Sequence, residues 1–412
     1  MGNKLKKAPR PQKINFPEVQ SPINYKFELC GNEEPIRENG EYAVCFDICA
    51  LKSGNILITY MFGDIEATKT RSGLLIFNVP DFKLIEKYEF ENEVNGITYI
   101  AESAIQLKNG NIFSICDKLY IFDGESISNG PKTTSEEINK ISCKTTEHKF
   151  PSLFDENNPI IKKIRFFSFE FIFEPKDGTI LYTTEGNNIL YTLDIGNLET
   201  KGKEFFKYIK PGLKEYSLDI ITQSEYYPEN LYIIANFNMN QSKYESIVLV
   251  FNLNDFCDEN NKDKKPLYSI EVSKSNNVFA ICEYDKKYLL CDTINKGIYI
   301  IDIEAKLKVA VSELKFHLEG QSMLMNYMYN KKDQKYYIDQ AGRYNLLYKK
   351  MIKLKDGKVL LQYDFTFCIA DIKAQNLKEC GRVGRMKFVV SGNYICCLNS
   401  KNEMRAYKLY ED

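Results

Sequence analysis

The stretch Ile247-Val248-Leu249-Val250-Phe251-Asn252 is a short apolar run that ends in a bulky residue followed by a polar one. The same kind of ending recurs along the chain, with a weaker form near the C-terminus. The endings are Phe77-Asn78, Phe122-Asp123, Leu193-Asp194, Phe251-Asn252, Ile301-Asp302, Ala370-Asp371 and Tyr407-Lys408. Their mean spacing of about 55 residues predicts a repeat architecture with seven units.

A second marker precedes each ending: a polar turn between two apolar runs. Four turns contain Gly, a fifth is shorter, and two keep the place without Gly. They are Lys52-Ser53-Gly54-Asn55, Lys108-Asn109-Gly110-Asn111, Lys176-Asp177-Gly178-Thr179, Lys355-Asp356-Gly357-Lys358, Ser391-Gly392-Asn393, Glu229-Asn230 and Asp285-Lys286-Lys287. Gly and Asn tolerate the positive φ that tight hairpins require, so these turns predict hairpins.

The runs between markers are short, β-branched and aromatic, as in Ile56-Leu57-Ile58-Thr59-Tyr60. Such runs favour strands buried on both faces. Leu84-Ile85-Glu86-Lys87-Tyr88-Glu89-Phe90 alternates instead, which predicts a half-exposed outer strand. Four strands in each of seven units predict an all-β, seven-bladed β-propeller with four-stranded antiparallel blades. A β-sandwich or two unrelated β domains remain the alternative.

We predict blades at residues 43–90, 98–145, 165–210, 217–272, 277–312, 347–378 and 386–409. The last unit lacks an outer strand, and Tyr25-Lys26-Phe27-Glu28-Leu29 could supply it from the N-terminus and so close the ring. Residues 25–412 would then form one propeller domain. Insertions are expected near 124–164 and 316–342.

This pattern resembles the WD-repeat propeller family, in which a dipeptide closes the third strand of each blade. The resemblance covers residues 43–409 in pattern. The chain departs from the family in having no Trp and only two His, His148 and His317. The resemblance implies that the loops between second and third strands and the connections between blades share one rim of the propeller, where a partner would bind.

Catalytic and metal-ligating patterns are weak. Two His residues leave little for a His-based triad or a metal site, so we expect no catalytic residues, no metal and no cofactor. The acidic run from Asp255 to Asp263 is similar to a calcium loop but lacks the Gly turn and terminal Glu of an EF-hand. The 12 Cys residues show no zinc-type spacing and fit buried, reduced thiols.

Charge and tail composition bear on partners. Lys and Arg total 55 against 56 acidic residues, which gives no general argument for nucleic acid. Residues 1–24 form a basic, Pro-rich segment that we expect to be disordered. Gly2 follows Met1 as N-myristoylation requires, and the tail could contact a lipid surface through Gly2, Lys4, Lys6 and Lys7. We expect a cytoplasmic protein that is able to associate peripherally with a membrane.

The first functional hypothesis is a non-enzymatic scaffold that binds a protein or peptide. Its candidate contact residues lie on the long loops of the first and fourth blades and in the 316–342 insertion, namely Asp64, Glu66, Lys69, Arg71, Lys243, Tyr244, Tyr327 and Tyr329. The alternatives are a propeller hydrolase or lactonase with a metal at the channel mouth, and a membrane-surface adaptor anchored through the N-terminus.

Overall fold

The computed structural model describes an almost entirely β-stranded chain. The described residues are 25–33, 37–38, 41–62, 71–79, 83–89, 93–94, 97–101, 103–115, 119–122, 143–146, 164–167, 169–176, 178–184, 189–194, 203–208, 216–239, 243–258, 260–261, 263–273, 277–293, 297–304, 307–308, 317–318, 351–354, 357–363, 366–372, 376–382, 388–398 and 404–411. The all-β fold class is therefore confirmed.

The strands of the first half of the chain are β1 (Tyr25–Glu33), β2 (Arg37–Glu38), β3 (Glu41–Ala50), β4 (Ile56–Phe62), β5 (Arg71–Phe77), β6 (Leu84–Glu89), β7 (Glu93–Val94), β8 (Ile97–Ala101), β9 (Ala104–Gln106), β10 (Ile112–Ile115), β11 (Leu119–Phe122), β12 (Cys143–Thr146), β13 (Ile164–Phe167), β14 (Phe169–Lys176), β15 (Thr179–Thr184), β16 (Ile189–Asp194), β17 (Lys203–Lys207) and β18 (Ser217–Gln223).

The remaining elements are β19 (Asn230–Met239), β20 (Lys243–Asn252), α1 (Leu253–Cys257), β21 (Tyr268–Ser273), β22 (Val278–Glu283), β23 (Tyr288–Thr293), β24 (Gly297–Asp302), β25 (Leu307–Lys308), β26 (His317–Leu318), β27 (Met351–Lys353), β28 (Val359–Tyr363), β29 (Thr366–Asp371), β30 (Asn376–Arg382), β31 (Phe388–Ser391), β32 (Tyr394–Leu398) and β33 (Met404–Glu411). The helix α1 begins after Asn252, whose side chain accepts hydrogen bonds from the first-turn N–H groups of Asn254 and Asp255.

Seven of the sheets follow the predicted repeat, and we number them in chain order. Sheet 1 is β3–β6, sheet 2 is β9–β12, sheet 3 is β14–β17, sheet 4 is β18–β21, sheet 5 is β22–β25, sheet 6 is β27–β30, and sheet 7 is β31–β33 with β1. In each, strands adjacent in sequence are adjacent in the sheet. Two short strands extend this plan, β2 beside β3 and β26 beside β30.

The predicted endings close the third strand in six sheets. They fall at the ends of β5, β11, β16, β20, β24 and β29, while Tyr407-Lys408 lies inside β33, the third strand of sheet 7. In five of these sheets the apolar member pairs with the first or second residue of the second strand, as in Phe77 with Ile56 and Phe251 with Leu231. The recurring ending therefore marks one register position of the repeat.

The predicted Gly turns are also confirmed. Each joins the first and second strands of a sheet, and its Gly has positive φ. The φ values are 89° at Gly54, 95° at Gly110, 78° at Gly178, 79° at Gly357 and 56° at Gly392. In sheet 1 the turn is closed by a hydrogen bond from Leu51 N to Asn55 O at 2.8 Å.

The predicted closing strand is found where it was expected, and it is longer than predicted. β1 runs antiparallel to β33 from Tyr25 opposite Glu411 to Glu33 opposite Met404. The register shifts once, between Leu29 and Gly31. The outer edge of sheet 7 is thus covered by the N-terminal strand.

Two segments assigned to blades lie elsewhere. The predicted second and third blades begin with β8 and β13, but these two strands pair parallel to each other, with β7 beside β8, in an additional three-stranded sheet. The prediction was wrong because a pairing between residues about 65 positions apart leaves no local pattern.

The outer strand of sheet 1 is confirmed, but its alternation is not. Leu84 is 44% exposed and Ile85 is buried, as alternation predicts. Alternation also predicts an exposed Glu86, but Glu86 is fully buried. β6 is an edge strand, and one of its buried side chains is the carboxylate Glu86. A strict period of two therefore assigned Glu86 wrongly to the exposed face.

Two compact units divide the chain. One is built mainly from Ile23–Ile221 and Cys380–Asp412, the other from Thr222–Gln362 and Cys368–Glu379. Within the first, one apolar cluster joins sheets 7 and 1, a second joins sheets 1 and 2, and a third joins sheets 2 and 3. Within the other, a cluster around Tyr284 and Leu361 joins sheets 5 and 6. Inside each unit, neighbouring sheets in the chain pack face to face.

Candidate partner-binding surface

The described residues include three of the eight predicted contact residues. Arg71 opens β5 opposite Phe62, and Lys243 and Tyr244 open β20 opposite Met239 and Asn238. The other predicted residues lie outside the described chain, namely Gly2, Lys4, Lys6, Lys7, Asp64, Glu66, Lys69, Tyr327 and Tyr329. For those residues the assignments stay predictions, as does acylation of Gly2.

The predicted loop from Asn236 to Glu245 is largely strand. β19 and β20 form a ladder of ten residue pairs, against seven between β4 and β5. The loop prediction was wrong because Asn residues usually mark turns, whereas Asn236 is buried inside the sheet and hydrogen-bonded there. Lys243 and Tyr244 therefore lie in the paired strands next to the tip of a long hairpin, and not in an irregular loop.

A polar cluster anchors this hairpin to the next sheet. Asn236 Nδ2 donates to Val278 O at 2.8 Å, and Val278 N donates to Asn236 Oδ1 at 3.2 Å and to Ser246 Oγ at 3.0 Å. Ser246 Oγ in turn donates to Asn236 Oδ1. Every polar atom named here is paired, so burial of the cluster costs little and gives a fixed orientation.

Arg71, at the corresponding place in sheet 1, lies over the ring of Phe62. Its guanidinium carbon is 5.3 Å from the centre of the Phe62 ring, and Nη1 is 3.7 Å from Glu89 Oε2. Lys87 Nζ is 3.4 Å from the same carboxylate oxygen and 5.7 Å from the Phe62 ring centre. The Arg71 side chain is 30% exposed, so ring and carboxylate hold it while part of it stays open to a partner.

Gly73 leaves room for the close packing of β4, β5 and β6 beside Arg71. A Cβ atom at Gly73 would lie 1.9 Å from Tyr88 O and 2.9 Å from the hydroxyl oxygen of Tyr60. Tyr60 and Phe62 are buried and meet edge to face with ring centres 5.1 Å apart. The absence of a side chain at Gly73 lets the Tyr60 hydroxyl group approach the backbone of β5.

The turn before β19 is held by a buried carboxylate of the next sheet, that of Glu283. Glu283 is buried and accepts hydrogen bonds from Ser224 Oγ at 2.5 Å, from Glu225 N at 2.6 Å and from the Tyr232 hydroxyl group at 2.8 Å. Burial raises the pKa of Tyr232, which keeps its hydroxyl group protonated as a donor. Three donors compensate the buried carboxylate, so it fixes the turn while Glu225 and Glu229 remain exposed.

The acidic run after β20 is organised by an internal cation. Lys264 Nζ donates to Phe256 O at 2.6 Å and to Asp258 O at 2.8 Å, and it lies 5.7 Å from the centre of the Phe256 ring. These carbonyl groups, which could face a metal ion in a calcium loop, bind the chain's own ammonium group. Among the described residues, no cluster of His, Cys, Asp and Glu has the arrangement of a metal site.

Four cysteines in the described strands carry protonated thiols. Burial raises the pKa of Cys45 to about 12 and that of Cys282 to about 12, and it also raises the pKa values of Cys291 and Cys397. Only a thiolate is a good nucleophile, so these thiols are unsuited to nucleophilic chemistry at neutral pH.

Sequence reasoning did not single out the buried carboxylate Glu283. A signal was available, because Glu174 and Gln106 occupy the same place, two residues before the turn residue Lys176 or Lys108. The pattern is visible only when the turns are aligned on one another rather than analysed separately.

Comparison with known proteins gives no family. No protein-family model matches the chain, and no curated protein shows significant sequence similarity to it. In the part of the chain with assigned structure, none of the helices has the length and apolar character needed to cross a bilayer.

Proposed function

We propose that the seven sheets close into a WD-repeat-like, seven-bladed β-propeller that acts as a non-enzymatic scaffold for a protein or peptide. The observation that carries this proposal is the pairing of β1 with β33. It places the two ends of the repeat array in one sheet, as a closed ring requires. The regular four-stranded sheets and the face-to-face packing inside each unit support the same arrangement.

The partner would contact the side of the sheets that carries the connections between second and third strands. In sheet 1 this side presents the partly exposed Arg71, and in sheet 4 it presents the long β19–β20 hairpin with Lys243 and Tyr244. Arg and Tyr are enriched at the centres of protein interfaces. Arg71 is held against the Phe62 ring, and the buried cluster around Asn236 anchors the hairpin, so binding would order little additional backbone.

The proposal is tested in two measurements on the full chain. Small-angle X-ray scattering should give a radius of gyration of about 22 Å, the value for one compact domain of this length. A markedly larger radius with a two-lobed distance distribution would contradict the closed ring. Cryo-electron microscopy with a rigid fiducial would then show whether seven sheets surround an axis.

Partner capture tests the surface. Affinity-tagged protein in native extract should retain a stoichiometric protein or peptide, and Arg71→Ala or the double change Lys243→Ala with Tyr244→Ala should weaken its retention at least tenfold. Lys265→Ala is the matched control, because Lys265 is an exposed cation paired with Asp263 in the loop before β21. Equal retention by all variants would remove this surface from the proposal.

A further inference from the structure

We infer that the turns of neighbouring sheets are mechanically coupled through a repeated side-chain latch. The latch residue lies at or near the end of the first strand of one sheet and accepts a hydrogen bond from the turn of the preceding sheet. Three such bonds are present: Lys52 N to Gln106 Oε1 at 2.6 Å, Lys108 N to Glu174 Oε2 at 2.5 Å, and Glu225 N to Glu283 Oε2 at 2.6 Å.

The three bonds occupy one place in the repeat. Each donor follows the latch position of its own sheet by two residues, as Lys108 follows Gln106 and Glu225 follows Gln223. Each acceptor lies in the next sheet along the chain. Because the same relationship recurs between sheets 1 and 2, 2 and 3, and 4 and 5, it is a property of the repeat and not of one contact.

The latch residues of sheets 2 and 3 also hold their own turns. Gln106 Nε2 donates to Gly110 O at 2.8 Å, and Glu174 Oε1 accepts from Gly178 N at 3.0 Å. Hydrogen bonds therefore run without interruption from the turn of sheet 1, through Gln106, to the turn of sheet 2 and on through Glu174 to the turn of sheet 3. A displacement of one turn changes the geometry of the next.

Lysine side chains reinforce this path. Lys52 Nζ donates to Leu107 O at 3.2 Å and Lys108 O at 2.6 Å, and Lys108 Nζ donates to Pro175 O at 2.7 Å. Apolar faces alone allow one sheet to slide on another, because the hydrophobic effect has no direction. The hydrogen bonds have direction, so they fix the offset between sheets.

Sheet 6 shows that the device depends on the chemistry of one residue. Its latch position holds Lys353, and an ammonium group cannot accept a hydrogen bond. Lys353 Nζ instead contacts the Tyr226 hydroxyl group and lies 5.1 Å from the centre of that ring. The coupling path of sheets 1 to 3 is therefore not repeated between sheets 5 and 6.

Hydrogen–deuterium exchange on the full chain tests the coupling. The variant Gln106→Leu removes the acceptor, whereas Gln106→Glu keeps it and removes only the donor to Gly110 O. We expect exchange of the Lys52 amide to rise at least tenfold in Gln106→Leu and to stay within threefold of wild type in Gln106→Glu. Gln223→Leu is the control, since its described side-chain bond stays within its own turn, to Pro228 O.

A second pair of variants tests transmission. Glu174→Leu should raise exchange of the Lys108 amide at least tenfold and that of the Lys52 amide at least twofold, while Glu174→Gln, which keeps one of the two acceptor oxygens, should raise both less than Glu174→Leu does. Unchanged exchange at Lys52 in Gln106→Leu, or equal exchange in Gln106→Leu and Gln106→Glu, would overturn the latch. An effect of Glu174→Leu at Lys108 with none at Lys52 would overturn the coupling between turns.

Discussion

The side chain of Asn236 forms two hydrogen bonds with the backbone of Val278, one to its carbonyl oxygen and one from its N–H group. An amide side chain thereby reproduces the pairing that a neighbouring strand would provide. It joins the second strand of sheet 4 to the first strand of sheet 5 in a region without access to water, since Asn236 is 2% exposed.

Replacing Asn236 with Leu should destabilise the protein strongly. The change leaves the Val278 carbonyl group buried without its side-chain donor, and it removes the acceptor shared by Ser246. Unsatisfied buried groups cost about 1–3 kcal/mol each, so we expect a loss of about 2–3 kcal/mol in the free energy of unfolding. Urea denaturation measures it, with the exposed Asn260→Ala as control. A loss below about 0.5 kcal/mol would contradict the structural role of Asn236.

Two glycines separate steric crowding from backbone strain. At Gly73, an added methyl group meets the backbone oxygen of Tyr88, and that oxygen cannot move without disturbing β6. Gly73→Ala should cost at least about 2 kcal/mol. At Gly110, nothing lies within 4 Å of the new methyl group, but φ is +95°. Gly110→Ala should cost about 1 kcal/mol.

Thermal unfolding of the two glycine variants should therefore place the larger loss at Gly73. The reverse order, or no loss at Gly73, would show that β5 and β6 can separate to admit a side chain.

Stability should fall in alkaline solution. A thiol with an ordinary pKa of 9.0 loses its proton in the unfolded chain, but Cys45 in the folded protein retains it up to about pH 12. Between these values the folded state binds more protons, so its stability is full below about pH 9 and decreases as the pH rises. The raised pKa values of Tyr182 and Tyr232 add to this trend.

Urea denaturation at pH 7 to 10.5 measures this dependence. The variant Cys45→Ala should show a smaller decrease between pH 9 and 10.5 than wild type. A free energy of unfolding that is constant or rises over that interval would contradict the assigned burial of these groups.

Thiol labelling should distinguish buried from accessible cysteines. Cys257, Cys291, Cys368, Cys396 and Cys397 are buried, so a thiol reagent at pH 7.5 should reach them only after unfolding. In denaturant, all 12 cysteines should react. Mass spectrometry of labelled peptides identifies the protected sites, and rapid native labelling of Cys396 would be inconsistent with the packing of sheets 7 and 1.

Removal of β1 should expose the edge of β33. A chain that begins at residue 34 loses the backbone pairing from Tyr25 to Glu33, and an uncovered edge strand promotes association between chains. We expect aggregation or a clear fall in Tm. A chain that begins at residue 25 is the control and should retain the Tm of the full chain. Equal behaviour of both truncations would show that β1 contributes little.

Local chemistry explains which features the sequence predicted. Gly54, Gly110 and Gly178 identify their turns because positive φ is a property of the residue itself, and Phe77 or Phe251 identifies a strand end by a change from apolar to polar. Pairing of β8 with β13 involves distant residues and leaves no such mark. Asn236 misled the loop prediction because its partner, the backbone of Val278, is more than forty positions away in the chain.

The candidate surface was predicted less well than the fold. Arg71 was identified as a contact residue, but its place over Phe62 depends on Gly73 and Tyr60, whose relationship follows only from strand register. Likewise, Gln106, Glu174 and Glu283 act through turns of a different sheet. The predicted repeat gives the order of the sheets but not which side chains meet between them, so such side chains look like ordinary polar surface residues.

The position of β1 has a consequence for biosynthesis. During translation, β1 leaves the ribosome about 360 residues ahead of β31, β32 and β33, the other strands of its sheet. At a synthesis rate of about 5–20 residues per second, β1 waits roughly 20 to 70 seconds before its pairing partner β33 has been made. During that interval the edge of β1 that later pairs with β33 is uncovered, and sheet 7 can form only after the ribosome has passed Glu411.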